Sequence, residues 1–282
     1  MINLKVTCIE EYTAYLERNN YNEITIRTYK QYFKRFLRHF PKSEPQHISY
    51  KQIRKYLLFL VEKKNYSPSS QNNAINAIKL YYKDVLQREV NDYYFPRPRR
   101  EKKLPKILTE KEIANIFRNI KDLRNKCMIY LIYSAGLTPS EVTYIKIDDV
   151  NSDKMQIFIS SARGNKDRFV ILSKKLLNLL RKYFVQYKPH KWLFESKPGK
   201  QYSKRKIQKS FKNAVKKSGI TKPATLTILK NSFAVQLIEK GVDIRFVQQM
   251  LGHKHSKTTM KYLKVSKRDL SIIKSPLDNL EI

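Results

Sequence analysis

A chain of 282 residues has room for two ordinary domains. Its 41% hydrophobic content is enough to build packed cores, which excludes a disordered tail. Its 58 Lys+Arg against 24 Asp+Glu leave a net charge of +34, spread along the whole chain, so the expected partner of its folded basic faces is a phosphate backbone.

From Val6 to about Leu86 the pattern is helical. Ile26, Tyr29, Phe33, Phe36, Leu37 and Phe40 recur at three and four residues and share one face. Arg27, Lys30, Lys34 and Arg38 form a second, basic stripe on the same segment. The next segment repeats the design, with Ile53, Tyr56, Leu57 and Leu60 inside and Lys51, Arg54 and Lys55 outside. A fourth helix starts after Ser67-Pro68 and runs through Ile75, Ile78 and Tyr82, proline being suited to the first helical position. Residues 1–90 are therefore expected to form a four-helix bundle.

Residues 91–106 break the pattern. Pro96, Arg97, Pro98, Arg99, Arg100, Lys102, Lys103, Pro105 and Lys106 make a stiff, extended, basic connector. It is suited to tracking a duplex backbone, and equally to being an ordinary solvated linker. The basic faces on both sides of it suggest a clamp of two helical domains around duplex DNA, with Arg27, Lys30, Lys34, Arg38, Lys51, Arg54, Arg97, Arg99 and Arg100 among the contacting residues.

Residues 107–282 form the second domain. Thr109 followed by Glu112 is a capping-box signature. Helices are expected over 113–120 and 125–134. The period then changes to two at Met155, Ile157 and Ile159. A turn at Arg163-Gly164-Asn165 and a return strand over 168–172 complete a β-hairpin. Arg163 and Arg168 join the expected DNA contacts. Helices resume near 174–187, 203–218, 226–240, 243–251 and 256–265. The fold class is mainly α with a small β-hairpin or sheet. Cys8 and Cys127 stand far apart without ligand spacing, so neither a disulfide framework nor a zinc site is expected. No signal-peptide pattern and no apolar run near ~18 residues occurs, which points to a soluble, cytoplasmic protein without a membrane partner.

Three segments carry chemistry. They are Gly136-Leu137-Thr138-Pro139-Ser140-Glu141, Thr227-Ile228-Leu229-Lys230-Asn231, and Leu251-Gly252-His253 followed by Thr258-Thr259-Met260-Lys261-Tyr262. In this order they resemble the signature of the tyrosine recombinase (phage integrase) family. The pairing of the bundle with the connector and C-terminal domain resembles its Xer-type members and the integrases of mobile elements. The resemblance implies a SAM-like core-binding domain followed by a catalytic-type domain. It also implies site-specific cleavage and rejoining of DNA through a 3′-phosphotyrosine, without cofactor or metal. By the same resemblance Tyr262 is the nucleophile, His253 hydrogen-bonds the scissile phosphate, and Lys166, beside the hairpin turn, protonates the leaving group. Glu141 supports the site structurally. The tail, with Leu270, Ile272, Ile273 and Leu277, is placed for exchange between subunits in a dimer or tetramer on DNA, or for folding back on its own domain.

The chain also departs from the family pattern. The family reads G-L-R-x-S-E where this chain has Thr138, and H-x-L-R-H where it has Thr227, Lys230 and Asn231. Thr138 has no charge. Lys230 keeps a charge but lacks the planar fork that grips two phosphate oxygens at once. Loss of one preorganised donor to an oxyanion costs ~10²–10³ in rate. Two readings remain open at this point. One is a weakened recombinase, with Arg163, Arg245, Lys254 or Lys257 as substitute cations. The other is a DNA-binding accessory member that assembles with an active recombinase. A general basic RNA- or DNA-binding protein does not account for three motifs in family order.

Overall fold

The structure, a computed structural model, describes residues 2–88, 97, 104–160 and 167–266. The chain divides into two compact units, Met1–Lys102 and Lys103–Ile282.

In the first unit, four helices form from amphipathic segments with well-made starts. They are α1 (Ile2–Arg18), α2 (Glu23–His39), α3 (Tyr50–Glu62) and α4 (Pro68–Leu80), the last continuing into a π-helical turn over Tyr81–Val85. Asn22 caps α2 by accepting from the Thr25 amide, Ser49 and Gln52 close a reciprocal capping box on α3, and Ser67 caps α4 ahead of Pro68. The stripe expected on α2 does face inward. Phe33, Phe36 and Leu37 are buried against Tyr12, Tyr81 and Tyr82. The Phe33 and Tyr81 rings lie 4.2 Å apart between centroids. Buried phenols need acceptors: Tyr12 donates to the Ala77 carbonyl at 2.9 Å and Tyr82 to that of Pro45 at 2.7 Å. The opposite stripe stays outside, with Arg27, Lys34, Arg38, Lys51 and Arg54 exposed and Lys30 half-buried.

The second unit contains α5 (Glu110–Arg118), α6 (Leu123–Ser134) and α7 (Pro139–Tyr144), then a three-stranded antiparallel sheet of β1 (Val150–Asn151), β2 (Gln156–Ile159) and β3 (Arg168–Ile171). There follow α8 (Lys174–Tyr187), a ribbon of β4 (Glu195–Lys197) and β5 (Lys200–Gln201), α9 (Lys204–Lys217), α10 (Leu226–Glu239), α11 (Ile244–Leu251) and α12 (Ser256–Leu263). β2 and β3 pair Ile157 with Val170 and Phe158 with Phe169. Ile157, Ile159 and Val170 therefore point into the core, and Phe169 points out. Helices α6 and α10 are buried on most sides and pack on each other, and α11 and α12 close over α10.

Two details differ from the sequence expectation. Met155, expected within the alternating strand, has a left-handed φ of 51° and belongs to the turn before β2. The short strand β1 and the ribbon β4–β5 are additional. The hairpin turn at Arg163-Gly164-Asn165 and the tail from Leu270 to Ile282 lie outside the described residues, as do Arg99 and Arg100 of the connector. No helix among the described residues is long and apolar enough to cross a membrane.

Candidate active site

The site is built where α7, β3, α10 and the α11–α12 turn meet. Its floor begins at Gly136, whose φ of +64° and close approach to the Phe233 ring leave no room for a side chain. Thr138 follows as the N-cap of α7. Its hydroxyl oxygen accepts from the Glu141 amide at 3.2 Å, and Glu141 Oε2 accepts from the Thr138 amide at 2.7 Å. This is a complete capping box. Glu141 has a second task, because its Oε1 lies 2.7 Å from Arg168 Nη2 in an ion pair whose arginine side chain is 3% exposed. Burial by itself would raise the Glu141 pKa. The charges of Lys230 and Arg168, with the bonds from Thr138, outweigh it and hold the carboxyl below its ordinary value.

Arg168 is thus turned inward rather than standing among the exposed cations. It is buried, donates from Nε to the Met250 carbonyl at 2.8 Å, and lies flat against Gly252. A β-carbon at Gly252 would stand 2.9 Å from Arg168 Nη1, and Gly252 itself ends α11 in the left-handed conformation, φ +68°. The signal was present in the sequence. Arg168 alternates in phase with Val170, the inward face of β3.

Lys230 projects from α10 into this cluster and is 8% exposed. Burial disfavours its ammonium form and lowers its pKa to about 8, while Glu141 favours the charge and Arg168 and Lys261 oppose it. Both Glu141 oxygens are engaged elsewhere, by the Thr138 amide and by Arg168. Thr227, one turn earlier on the same face of α10, is exposed.

His253 follows Gly252. Its Nδ1 is 2.9 Å from Thr259 Oγ1, and its ring stacks near Tyr262, with centroids 6.3 Å apart at 19°. Burial first, then the charges of Lys230, Lys261 and Arg168, depress its pKa to about 4, so the imidazole is neutral at pH 7. Tyr262 is 2% exposed, and burial raises its phenol pKa. Its hydroxyl donates to Asn231 Oδ1 at 2.9 Å. Glu141, Lys230, His253 and Tyr262 are therefore brought together, with Thr138 at the edge through Glu141. Lys166 and Arg163 lie outside the described residues. Of the proposed substitute cations, Arg245 and Lys254 line a cavity of about 660 Å³ together with Arg168 and His253, but Arg245 is already paired with Asp243 at 2.9 Å. Lys257 is exposed on α12. Arg97 is exposed and donates to Asn76 at 2.9 Å. Sequence reasoning missed Thr259 and Asn231 as partners of His253 and Tyr262. The Thr259–Tyr262 spacing of three on one helix was an available signal for the first.

Comparison with known proteins identifies the family. Residues 106–269 match the model of the phage integrase family, and residues 9–92 match that of the phage integrase N-terminal SAM-like domain. A protein named tyrosine recombinase XerA from Pyrococcus horikoshii is 34% identical over 267 residues, covering 93% of this chain and 90% of that protein. A putative integrase/recombinase of Sinorhizobium fredii is 32% identical over 267 residues, 94% of this chain and 86% of the relative. Among solved structures, a lambda integrase(75-356) dimer bound to a COC′ core site superimposes with a TM-score of 0.76 at 17% identity, covering 91% of this chain and 94% of that one, a likeness of fold. The helical N-terminal domain, the mostly helical C-terminal domain with its small sheet, and the ordered motifs converge on one conclusion: this chain belongs to the phage integrase family, the tyrosine recombinases.

Proposed function

We propose that this chain binds duplex DNA and cuts and rejoins one strand through Tyr262. The Tyr262 hydroxyl oxygen attacks a backbone phosphorus and gives its proton to solvent water as the oxygen–phosphorus bond forms. The bond from phosphorus to the 5′ oxygen breaks, and that oxygen takes a proton from Lys166. The products are a 3′-phosphotyrosine and a free 5′ hydroxyl, and rejoining is the reverse. Lys230 and neutral His253 face the phosphate oxygens, and Glu141 holds α7 and Arg168 in place. The observation that carries this reading is the meeting of Lys230, His253 and Tyr262 in one buried cluster, from positions as far apart as 230 and 262. The cations Arg27, Lys30, Lys34, Arg38, Lys51, Arg54, Arg97, Arg99, Arg100 and Arg163 grip the DNA backbone, and the tail after residue 270 links copies of the chain on DNA.

The chemistry is slow by the standard of its family. Thr138 presents no charge, and its hydroxyl oxygen is engaged in capping α7. The same observation supports a second reading, an accessory member that binds DNA beside an active recombinase. The two are separated by incubating the protein with nicked duplexes tiled across the DNA flanking its own gene, with and without chelator. A covalent protein–DNA species insensitive to chelator supports cleavage. Binding without such a species, which appears only after an active relative is added, supports the accessory role.

A further inference from the structure

We propose that Asn231 is a positioning residue for Tyr262, holding the nucleophilic hydroxyl against α10. This rests on the reading of Tyr262 as nucleophile. The observation is a hydrogen bond of 2.9 Å between two side chains 31 residues apart, Tyr262 Oη donating to Asn231 Oδ1. Tyr262 is 2% exposed, so a hydroxyl without this acceptor would be buried unpaired, which costs more than the bond itself contributes. Asn231 adjoins Lys230 on α10.

The geometry also sets the direction of the proton. The phenol points its hydrogen at the amide oxygen, which leaves its lone pairs free toward an incoming phosphorus. An amide is not a base, so Asn231 orients the proton without removing it. Tyr262 is therefore held protonated in the DNA-free protein, in keeping with its burial. The other contacts of the ring hold its faces rather than its hydroxyl: His253 stacks near it and Lys261 Nζ lies 5.4 Å from the ring centroid. Asn231 alone anchors the oxygen among the described residues.

The test uses the full chain and two readouts. The first is nitration of Tyr262 by tetranitromethane, followed by peptide mass mapping, in the DNA-free protein. Asn231→Leu keeps the size and removes the acceptor, and should raise Tyr262 nitration about fivefold, the population shift of one lost hydrogen bond. Asn231→His restores an acceptor and should return nitration to the level of the unaltered protein. The second readout is the rate of covalent adduct on the nicked duplex. It should fall about tenfold in Asn231→Leu, with DNA affinity unchanged, and recover in Asn231→His. If Asn231→Leu does not fold, Asn231→Asp, which keeps an acceptor, against Asn231→Ala, which lacks one, gives the same contrast. Equal nitration in acceptor-bearing and acceptor-free variants overturns the proposal. Absence of adduct in every variant, with the nitration contrast intact, instead sinks the role of Tyr262 as nucleophile.

Discussion

Lys230 keeps a positive charge where water is nearly absent, and that makes the site sensitive to pH in a way an arginine site is not. Its pKa is lowered to about 8, so the ammonium proposed to face the phosphate is lost as pH rises through that value. Adduct formation should decline about tenfold per unit above that midpoint, and Lys230→Arg should remove this alkaline limb because arginine stays charged. The stability consequence has the opposite sense. The folded pKa lies below the unfolded value of 10.5, so the cost of burying the charge is fully present below pH 8 and is relieved between there and 10.5. Lys230→Met should therefore raise the thermal midpoint most below pH 8, with the gain fading toward pH 10.5. A midpoint gain that is constant with pH would show that packing, not charge, is responsible. At the same scale, Thr138→Arg with Thr227→His and Lys230→Arg should raise cleavage by ~10² or more while changing affinity little. It should also lower stability by about 1 kcal/mol, because the N-cap of α7 is lost.

At the scale of elements, Arg168 joins three of them: β3 that carries it, α7 through Glu141, and α11 through the Met250 carbonyl. Breaking the pair with Arg168→Met leaves the buried Glu141 carboxylate without its ion-pair partner and should cost about 3–5 kcal/mol, measured by urea unfolding. Gly252→Ala should destabilise by roughly 1–3 kcal/mol, since it adds strain at a positive φ and a clash with Arg168. Little loss in either variant would mean that the three elements are held otherwise. These ties also explain what was legible in the sequence. The helix α8 over Lys174–Tyr187 was legible because its apolar spacing is local and Ser173 caps it. The amphipathic α2 was legible for the same reason. Strand β1 and the ribbon β4–β5 have two or three residues each, too few to show alternation. The motif residues were legible by order and type. The inward phase of Arg168 was legible from its alternation with Val170, but its partners Glu141 and Met250, and the bond from Tyr262 to Asn231, arise from packing between distant segments, which local pattern does not encode.

At the scale of the whole molecule, charge governs binding. A net charge of +34 with exposed cations on α2 and α3 implies a steep salt dependence. Affinity for a random-sequence duplex, followed by fluorescence anisotropy, should fall by ~10³ or more between ~50 and ~200 mM salt if about six phosphates are contacted. A nearly flat dependence would remove the basic faces from the binding account. Tyr262→Phe should leave that salt curve unchanged, because the buried phenol adds nothing to the surface charge. The same substitution bears most directly on the central claim, that the buried cluster performs strand cleavage through one tyrosine out of nineteen. The decisive measurement is peptide mapping of the covalent species formed on nicked duplex, comparing the unaltered chain with Tyr262→Phe. A nucleotide linked to the Tyr262 peptide in the first and no linkage in the second is the expected result. Linkage at another residue, or its persistence in Tyr262→Phe, would contradict it.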